Sequence, residues 1–439
     1  MVETYSVLKK TTFSELIKWN VSELIANKVL GNYKNQPLSK FLVRSKNAIE
    51  IKDDVLYKQI TIHQFGEGVS LRCEKYGKEI GTKRQFIAKA GQFIISRIDA
   101  RNGSFGIVPN SLEGSVVTND FWLFDIQDAD PQFLVLLLSS KKVNSFWQAK
   151  SNGTTNRQRV DFEDFIKSSL PIPPLMEQKD IIQKYQETIS KVEELQIEAD
   201  NKLKEIDEYI LSSLQIEIFK AERHTGLSFM RFSKLNQWDT FNSIKSFESK
   251  KYPVVNMNSI SIDKPIYGAA YKTVNKVTDI RYIRITDINE DGSLNDEVVS
   301  ANDFSEQYLL EEHDFLFARS GATVGKTFLY EKEFGKAIFA GYLIKFKLNE
   351  KITNPYYILA FTKSSAYKQW ISDNMRVSAQ PNINSQQYAE SPIPLPPLPE
   401  QEEIVNHINQ IKAQIKDLRQ QASELREKAK SDFEKSVFE

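Results

Sequence analysis

Pro171-Ile172-Pro173-Pro174-Leu175-Met176-Glu177-Gln178 returns as Pro394-Leu395-Pro396-Pro397-Leu398-Pro399-Glu400-Gln401, with Pro173 and Pro396 in register at an offset of 223. Weaker anchors repeat at nearly the same distance. Phe13-Ser14-Glu15-Leu16-Ile17-Lys18-Trp19-Asn20 returns as Phe232-Ser233-Lys234-Leu235-Asn236-Gln237-Trp238-Asp239, and Tyr57-Lys58-Gln59-Ile60-Thr61 as Tyr282-Ile283-Arg284-Ile285-Thr286. Phe93-Ile94-Ile95-Ser96-Arg97 returns as Phe315-Leu316-Phe317-Ala318-Arg319. Solenoid repeats run about 20 to 50 residues, so a period this long is a duplicated domain-plus-helix unit. Two similar working faces are expected.

Each proline run opens a long polar helix. Proline fits the first helical turn because its missing N–H costs nothing there, and Glu400, Glu402 and Glu403 favour the positive end of the helix dipole. After Pro399 the apolar positions are Ile404, Ile408, Ile411, Ile415, Leu418, Ala422, Leu425 and Ala429, an alternating 4,3 spacing that forms an a/d seam. The first copy reads Ile181, Tyr185, Thr188, Val192, Leu195, Ala199, Lys202 and Ile206, with Thr188 and Lys202 interrupting it. Ile189, Leu203 and Ile210 lie one position along and widen the apolar face. The helices are expected to bury these seams against each other, with Ala199 and Ala422 allowing close approach. The first should run from about 177 to 220.

Four segments follow: a globular block (1–170), a helical region (171–221), a second block (222–391) and a closing helical region (392–439). The blocks read as mixed α and β. Short β-rich runs such as Gln92-Phe93-Ile94-Ile95-Ser96 and Ala337-Ile338-Phe339-Ala340 are punctuated by Gly and Asn. Each block closes on a helix-like stretch, Pro131 to Lys150 and Asn354 to Asp373, whose Trp147 and Trp370 read as core anchors.

The chain has 439 residues and a formal net charge of zero, but the charge is uneven. Residues 1–170 carry +6 and residues 171–220 carry −5. Local field, more than the sum, decides how a polyanion is received. The lack of an 18-residue apolar run predicts no membrane span, no secretory signal stands out, and the single Cys73 fits a reducing compartment.

Catalytic motifs fail on inspection. Ser320-Gly321-Ala322-Thr323-Val324-Gly325-Lys326-Thr327 resembles a phosphate-binding loop, yet only three residues separate its glycines, and Phe328-Leu329-Tyr330 reads as a strand where that loop needs a helix. A tight glycine turn between strands is expected, with Arg319 and Lys326 available to phosphates. Asn354-Pro355-Tyr356-Tyr357 reads as a helix start and not as a methyltransferase motif. His63, His224, His313 and His407 show no metal-ligand spacing. The polar loops suit DNA, since Arg can clamp guanine, and Asn or Gln adenine, through paired hydrogen bonds. The candidates are Arg97, Arg101 and Asn102; Arg157, Gln158 and Arg159; Arg319 and Lys326; and Arg376 and Gln380. Asn382 and Asn384 also read as caps of a helix beginning near Ser385.

The whole pattern resembles the specificity subunit of type I restriction–modification systems. The twin Pro-Pro-Leu-x-Glu-Gln starts carry the resemblance, together with Ala318 to Lys326 and Ser96 to Pro109. It implies an α+β fold: two pseudo-symmetric target-recognition domains joined by two long antiparallel helices forming a coiled coil. It also implies a non-catalytic, cytoplasmic, prokaryotic protein that reads a split, asymmetric site in double-stranded DNA. Two modification subunits would dock on the helices and bring S-adenosylmethionine, this chain holding no cofactor or metal. A motor and nuclease subunit is a further implied partner. Met176 stands where the second copy has Pro399, and the first seam is the poorer one. A coiled-coil scaffold with protein-binding globular blocks is the alternative reading.

Overall fold

The computed structural model describes residues 29, 31–64, 68–98, 100, 103–150, 160–219, 246–274, 278–375 and 381–439, with the side chains of 146–150 excepted. The repeat anchor at 13–20 and 232–239, His224 and the Trp147 side chain lie outside the described residues. The chain forms two compact units, Met1–Leu195 with Gln420–Glu439, and Gln196–Arg419.

In unit 1 the strands are β1 (Asn35–Pro37), β2 (Leu42–Ser45), β3 (Ala48–Glu50), β4 (Leu56–Ile62), β5 (Val69–Tyr76), β6 (Arg84–Ile87), β7 (Phe93–Ser96), β8 (Phe105–Ile107), β9 (Val116–Val117), β10 (Phe121–Ile126) and β11 (Ser169–Pro171). The helices are α1 (Pro131–Ser139), α2 (Lys141–Lys150), α3 (Phe162–Ile166) and α4 (Leu175–Ser213), the last running on into unit 2. Unit 2 has β12 (Ile216–Ile218), β13 (Phe247–Ser249), β14 (Val254–Asn256), β15 (Ile266–Tyr267), β16 (Thr273–Val274), β17 (Arg281–Ile283), β18 (Ser300–Ala301), β19 (Asp314–Ala318), β20 (Thr327–Leu329), β21 (Ala337–Phe339), β22 (Leu343–Lys347) and β23 (Pro392–Pro394). Its helices are α5 (Pro355–Phe361), α6 (Ser365–Asn374), α7 (Ser385–Ala389) and α8 (Leu398–Phe438), whose distal end belongs to unit 1.

The duplication is visible strand by strand. The sheet β2-β10-β7-β8 matches β15-β22-β19-β20, and all its pairs are antiparallel. The parallel pairing of β4 with β9 recurs between β17 and β21. The short pair β1–β11 recurs as β14–β23, where Asn35 opposite Pro171 becomes Val254 opposite Pro394.

The proline motif has the same structural task in both units. Gln178 and Gln401 are fully buried. Gln401 Oε1 accepts from the backbone N–H of Asn354 at 2.7 Å, while its Nε2 donates to the carbonyls of Pro396 at 2.8 Å and Ile352 at 3.0 Å. Gln178 Oε1 likewise accepts from Asp130 N–H at 2.8 Å, and its Nε2 donates to Pro173 O at 2.8 Å. Asp130 and Asn354 are the N-caps of α1 and α5. The neighbouring glutamates accept from tyrosines just ahead of β1 and β14: Glu177 from Tyr33 and Glu400 from Tyr252. Each Glu-Gln pair thus fastens the start of a long helix to the globular block that precedes it.

Apolar packing follows the expected seams. In unit 2, Ala199, Ile411 and Ile415 form a small core against Ile206 and Leu418, and Ile404 joins the main core. In unit 1, Val192 and Ala422 are buried, whereas Ile181, Leu195 and Leu425 are half-buried. Within unit 2, Tyr209 of α4 stacks on His407 of α8; within unit 1, Tyr185 of α4 meets Phe433 of α8. Advance along one helix accompanies retreat along the other, so the pair is antiparallel. The α8 seam extends past Ala429 to Phe433 and Val437, which enter the core of unit 1 with Phe438.

Four expectations are corrected. Leu203 does not widen the seam, because its side chain is 46% exposed. Helix α4 stops at Ser213 and not near 220, because Gln215 adopts φ 47° and Ile216–Ile218 pair with β13. The stretches 131–150 and 354–373 are each two helices. Ser140 takes extended backbone between α1 and α2, and Ser364 caps α6 by accepting from Tyr367 N–H. Trp370 is a core residue as expected, and Asn384 caps α7, whereas Asn382 does not.

Candidate nucleic-acid interface

In each unit an inner strand of the four-stranded sheet ends on an arginine. Arg97 follows β7 and Arg319 follows β19. Their carbonyls accept from equivalent residues, Val160 N–H at 3.1 Å and Ile383 N–H at 2.9 Å. These bonds tie the segment ahead of α3 or α7 back to the arginine. The structure thereby places Arg97 beside Val160 and Arg319 beside Ile383. Arg101, Asn102, Arg157, Gln158, Arg159, Arg376 and Gln380 lie outside the described residues.

The two arginines sit over different rings. The Arg97 guanidinium lies 5.2 Å from the centre of Trp122 on β10. Arg44 on β2 lies 5.3 Å from the same ring, 5.8 Å from Phe124 and 5.3 Å from Phe162. Phe124 and Phe162 are themselves stacked, with centroids 6.3 Å apart. Neither Arg44 Nε nor Arg97 Nε has a hydrogen-bond partner, and among the described residues no ion pair joins either guanidinium to a carboxylate. Burial, then the positive charge of Arg97, lowers the Arg44 pKa to about 10. A half-buried arginine among aromatic rings, with no ion pair to a described carboxylate, is held by cation–π attraction and keeps its positive charge uncompensated.

In unit 2 the ring comes from another strand. Arg319 lies 4.8 Å from the centre of Tyr267 on β15, and its Nε donates to Asn382 Oδ1 at 3.2 Å. Tyr267 is held by Ser385, donating to its hydroxyl at 3.0 Å and accepting from its N–H at 3.0 Å. The Arg319 N–H donates to the carbonyl of Tyr342, whose side chain is exposed. Unit 2 thus presents one oriented arginine, one amide and two tyrosines, where unit 1 presents two arginines on a tryptophan.

The glycine turn after Arg319 is the connection between β19 and β20, as its spacing predicts. Gly321 and Gly325 take φ of 69° and 89°, a region open to glycine. Its N–H groups already donate internally: Gly321 to Pro381 O, Val324 to Gly321 O, Gly325 to Ala318 O and Lys326 to Thr323 O. The Tyr388 hydroxyl of α7 adds a bond to Ala318 O at 2.7 Å. With these four N–H groups taken, the turn does not offer the continuous row of donors that a phosphate-binding loop needs. Lys326 is engaged as well, 3.1 Å from Glu290 and 3.2 Å from Ile288 O. Among the described residues no cluster of His, Cys, Asp and Glu could hold a metal, and no helix is long and apolar enough to cross a membrane.

The sequence reading missed Arg44, Trp122 and Tyr267. Arg44 is a lone basic residue in a short strand, and only the pairing of Arg44 with Phe124 across β2 and β10 brings it to the platform. Trp122 and Tyr267 carried no signal beyond aromatic content.

The family of type I restriction modification DNA specificity domains matches residues 39–208 and again 240–427. The chain belongs to that family, and carries its domain twice. A structure from work on complex assembly and conformational transition of the type I R-M system shares the fold, at 17% identity, over 93% of this chain and 98% of that one, with a TM-score of 0.53. The HsdS subunit from Thermoanaerobacter tengcongensis aligns at 18% identity over 92% and 96%, TM-score 0.39. The type I S subunit from M. genitalium aligns at 12% over 93% and 97%, TM-score 0.41. No curated relative matches the chain.

Proposed function

We propose that this specificity subunit reads a bipartite, asymmetric site in double-stranded DNA, each unit contacting one half. The observation that carries this is the pair of equivalent strand-end arginines set in unlike surroundings, Trp122 with Arg44 in one unit and Tyr267 with Asn382 in the other. Equal register gives both units the same approach to a groove. Unlike neighbours give them different base preferences, since readout depends on which donors and acceptors reach each base edge. Two readers joined by a fixed spacer gain affinity through effective concentration, and only where the half-site separation matches their span. In this reading the long helices are that spacer and the docking ground for two modification subunits.

The chain itself contributes recognition and no chemistry. Adenine methylation, with S-adenosylmethionine, belongs to the modification subunits, and cleavage to a motor and nuclease subunit where one joins. The working compartment is the prokaryotic cytoplasm. The test is to co-express the chain with the adjacent modification subunit and map methylated adenines across the genome by single-molecule sequencing. A new split motif with one fixed spacer length is expected. A stable complex that binds DNA without sequence preference, or binds none, refutes the reading and favours the scaffold.

A further inference from the structure

Arg44 and Arg97 share the indole of Trp122, and among the described residues no carboxylate is paired with either. Two like charges on one buried ring repel each other, and burial first, then this repulsion, loosens the hold of the Arg44 guanidinium on its proton. Arg284 in unit 2, by contrast, is neutralised in place: it grips the buried Asp287 through its Nε and Nη2 and reaches Glu297 at 3.0 Å. Arg319, the counterpart of Arg97, is satisfied in part by the Asn382 amide. What sets the pair in unit 1 apart is that two guanidinium groups meet on one ring with no carboxylate among the described residues between them, an arrangement suited to an external anion.

Charge decides which part of a nucleic acid that anion is. A guanine edge is neutral and takes one arginine through two hydrogen bonds. It does not relieve the repulsion of a second guanidinium. A phosphodiester carries a full negative charge and two free oxygens, which matches two planar forks side by side. The rings support this choice. Arg44 is boxed by Trp122, Phe124 and Phe162, with Phe162 at the start of α3 and the rings of Phe124 and Phe162 nearly parallel. Its torsional freedom is removed before any ligand arrives, which lowers the entropy lost on binding.

We infer that Arg44 and Arg97 together form a clamp for one backbone phosphate of the DNA half-site held by unit 1, with Trp122, Phe124 and Phe162 as its wall. Unit 2 has no equivalent, because the position facing Phe346 in the β15 register is Pro265 and not arginine. The clamp fixes the position of the first half-site and leaves base choice to its neighbours. It rests on the DNA-reading function proposed above.

The test uses the full chain in complex with its modification subunits and a duplex carrying the mapped motif. Arg44→Met keeps the apolar stem against the rings and removes the charge. Affinity should fall roughly ten- to a hundredfold for matched and mismatched duplexes alike, and the slope of log K against log salt should shrink, by at most about 0.9 because Arg97 still reaches the same phosphate. Arg44→Lys should recover the slope and only part of the affinity. In the wild-type complex, a neutral methylphosphonate walked through the half-site should find one position, held by both guanidinium groups, whose substitution weakens binding roughly tenfold or more. This arm needs no variant to fold. A wild-type complex with no preference for the motif sinks the reading and the clamp together. A wild-type complex that prefers the motif, with no sensitive methylphosphonate, or with an Arg44→Met variant that relaxes one base position at unchanged slope, sinks the clamp alone.

Discussion

Gln401→Leu is the sharpest test of how the long helices are attached. Leucine fills nearly the same volume, so the change removes hydrogen bonds without opening a cavity. Three bonds go at once: from Asn354 N–H, and to the carbonyls of Ile352 and Pro396. The side chain is fully buried, so solvent does not replace them. Leaving a buried backbone group unpaired costs about 1–3 kcal/mol, and partial relaxation brings the sum to about 3–6 kcal/mol. Gln178→Leu breaks two such bonds and should cost about 2–4 kcal/mol. Hydrogen exchange read by mass spectrometry on the full chain localises the effect. In Gln401→Leu the first turns of α8 and the segment 350–357 should exchange roughly a hundred- to ten-thousandfold faster, while the first turns of α4 keep their protection. A change below tenfold in those segments would refute the latch.

Lys363 supplies a pH test. Burial lowers its pKa from 10.5 to about 7, against the partial compensation of Asp291 and Glu290, and Lys368 and Lys412 lower it further. Between about pH 7 and 10.5 the unfolded chain therefore holds more protons than the folded one, so stability rises with pH in that window, by up to about 1.4 kcal/mol per unit. Urea midpoints at pH 7, 8 and 9 should climb more steeply for the wild type than for Lys363→Met. Lys412, lowered in the same direction by burial, leaves the variant a residual slope; equal slopes would show that Lys363 is not the source. Leu418→Pro breaks α8 beside the Ile411–Ile415 core at a cost of about 3 kcal/mol or more. It should abolish tight binding to the split site, and unchanged binding would remove the helices from the role of spacer.

The sequence showed what local chemistry could show. Proline at a helix start, an apolar 4,3 rhythm, and glycines flanking a short turn are local constraints, and each appears where the spacing put it. The misreadings came where distant pairing overrode local preference. Ile216–Ile218 continue an apolar pattern suited to helix, but β13 offers them strand hydrogen bonds and Gln215 turns the chain aside. Leu203 is apolar at a plausible seam position, yet the narrow contact around Ala199 leaves it facing outward. Arg44 was illegible for the same reason. Its meaning depends on β10 lying beside β2, and on Phe162 arriving from more than a hundred residues away. The buried glutamines were in view from the start as part of a repeated phrase, but their task appears only once the N-caps of α1 and α5 are next to them.

The sharing of α8 between the units sets an order for synthesis. Phe433, Val437 and Phe438 complete a core with Phe133 and Leu137, residues made far earlier. Unit 2 is one contiguous stretch, Gln196–Arg419, and can close as soon as that stretch has left the ribosome. Unit 1 must wait while about 240 further residues are added after Leu195, on the order of 12–50 s at about 5–20 residues per second. The reader translated first is therefore the last to finish, and for that interval its open core, lined by Phe133 and Tyr185, is the part of the nascent protein most in need of a protective partner.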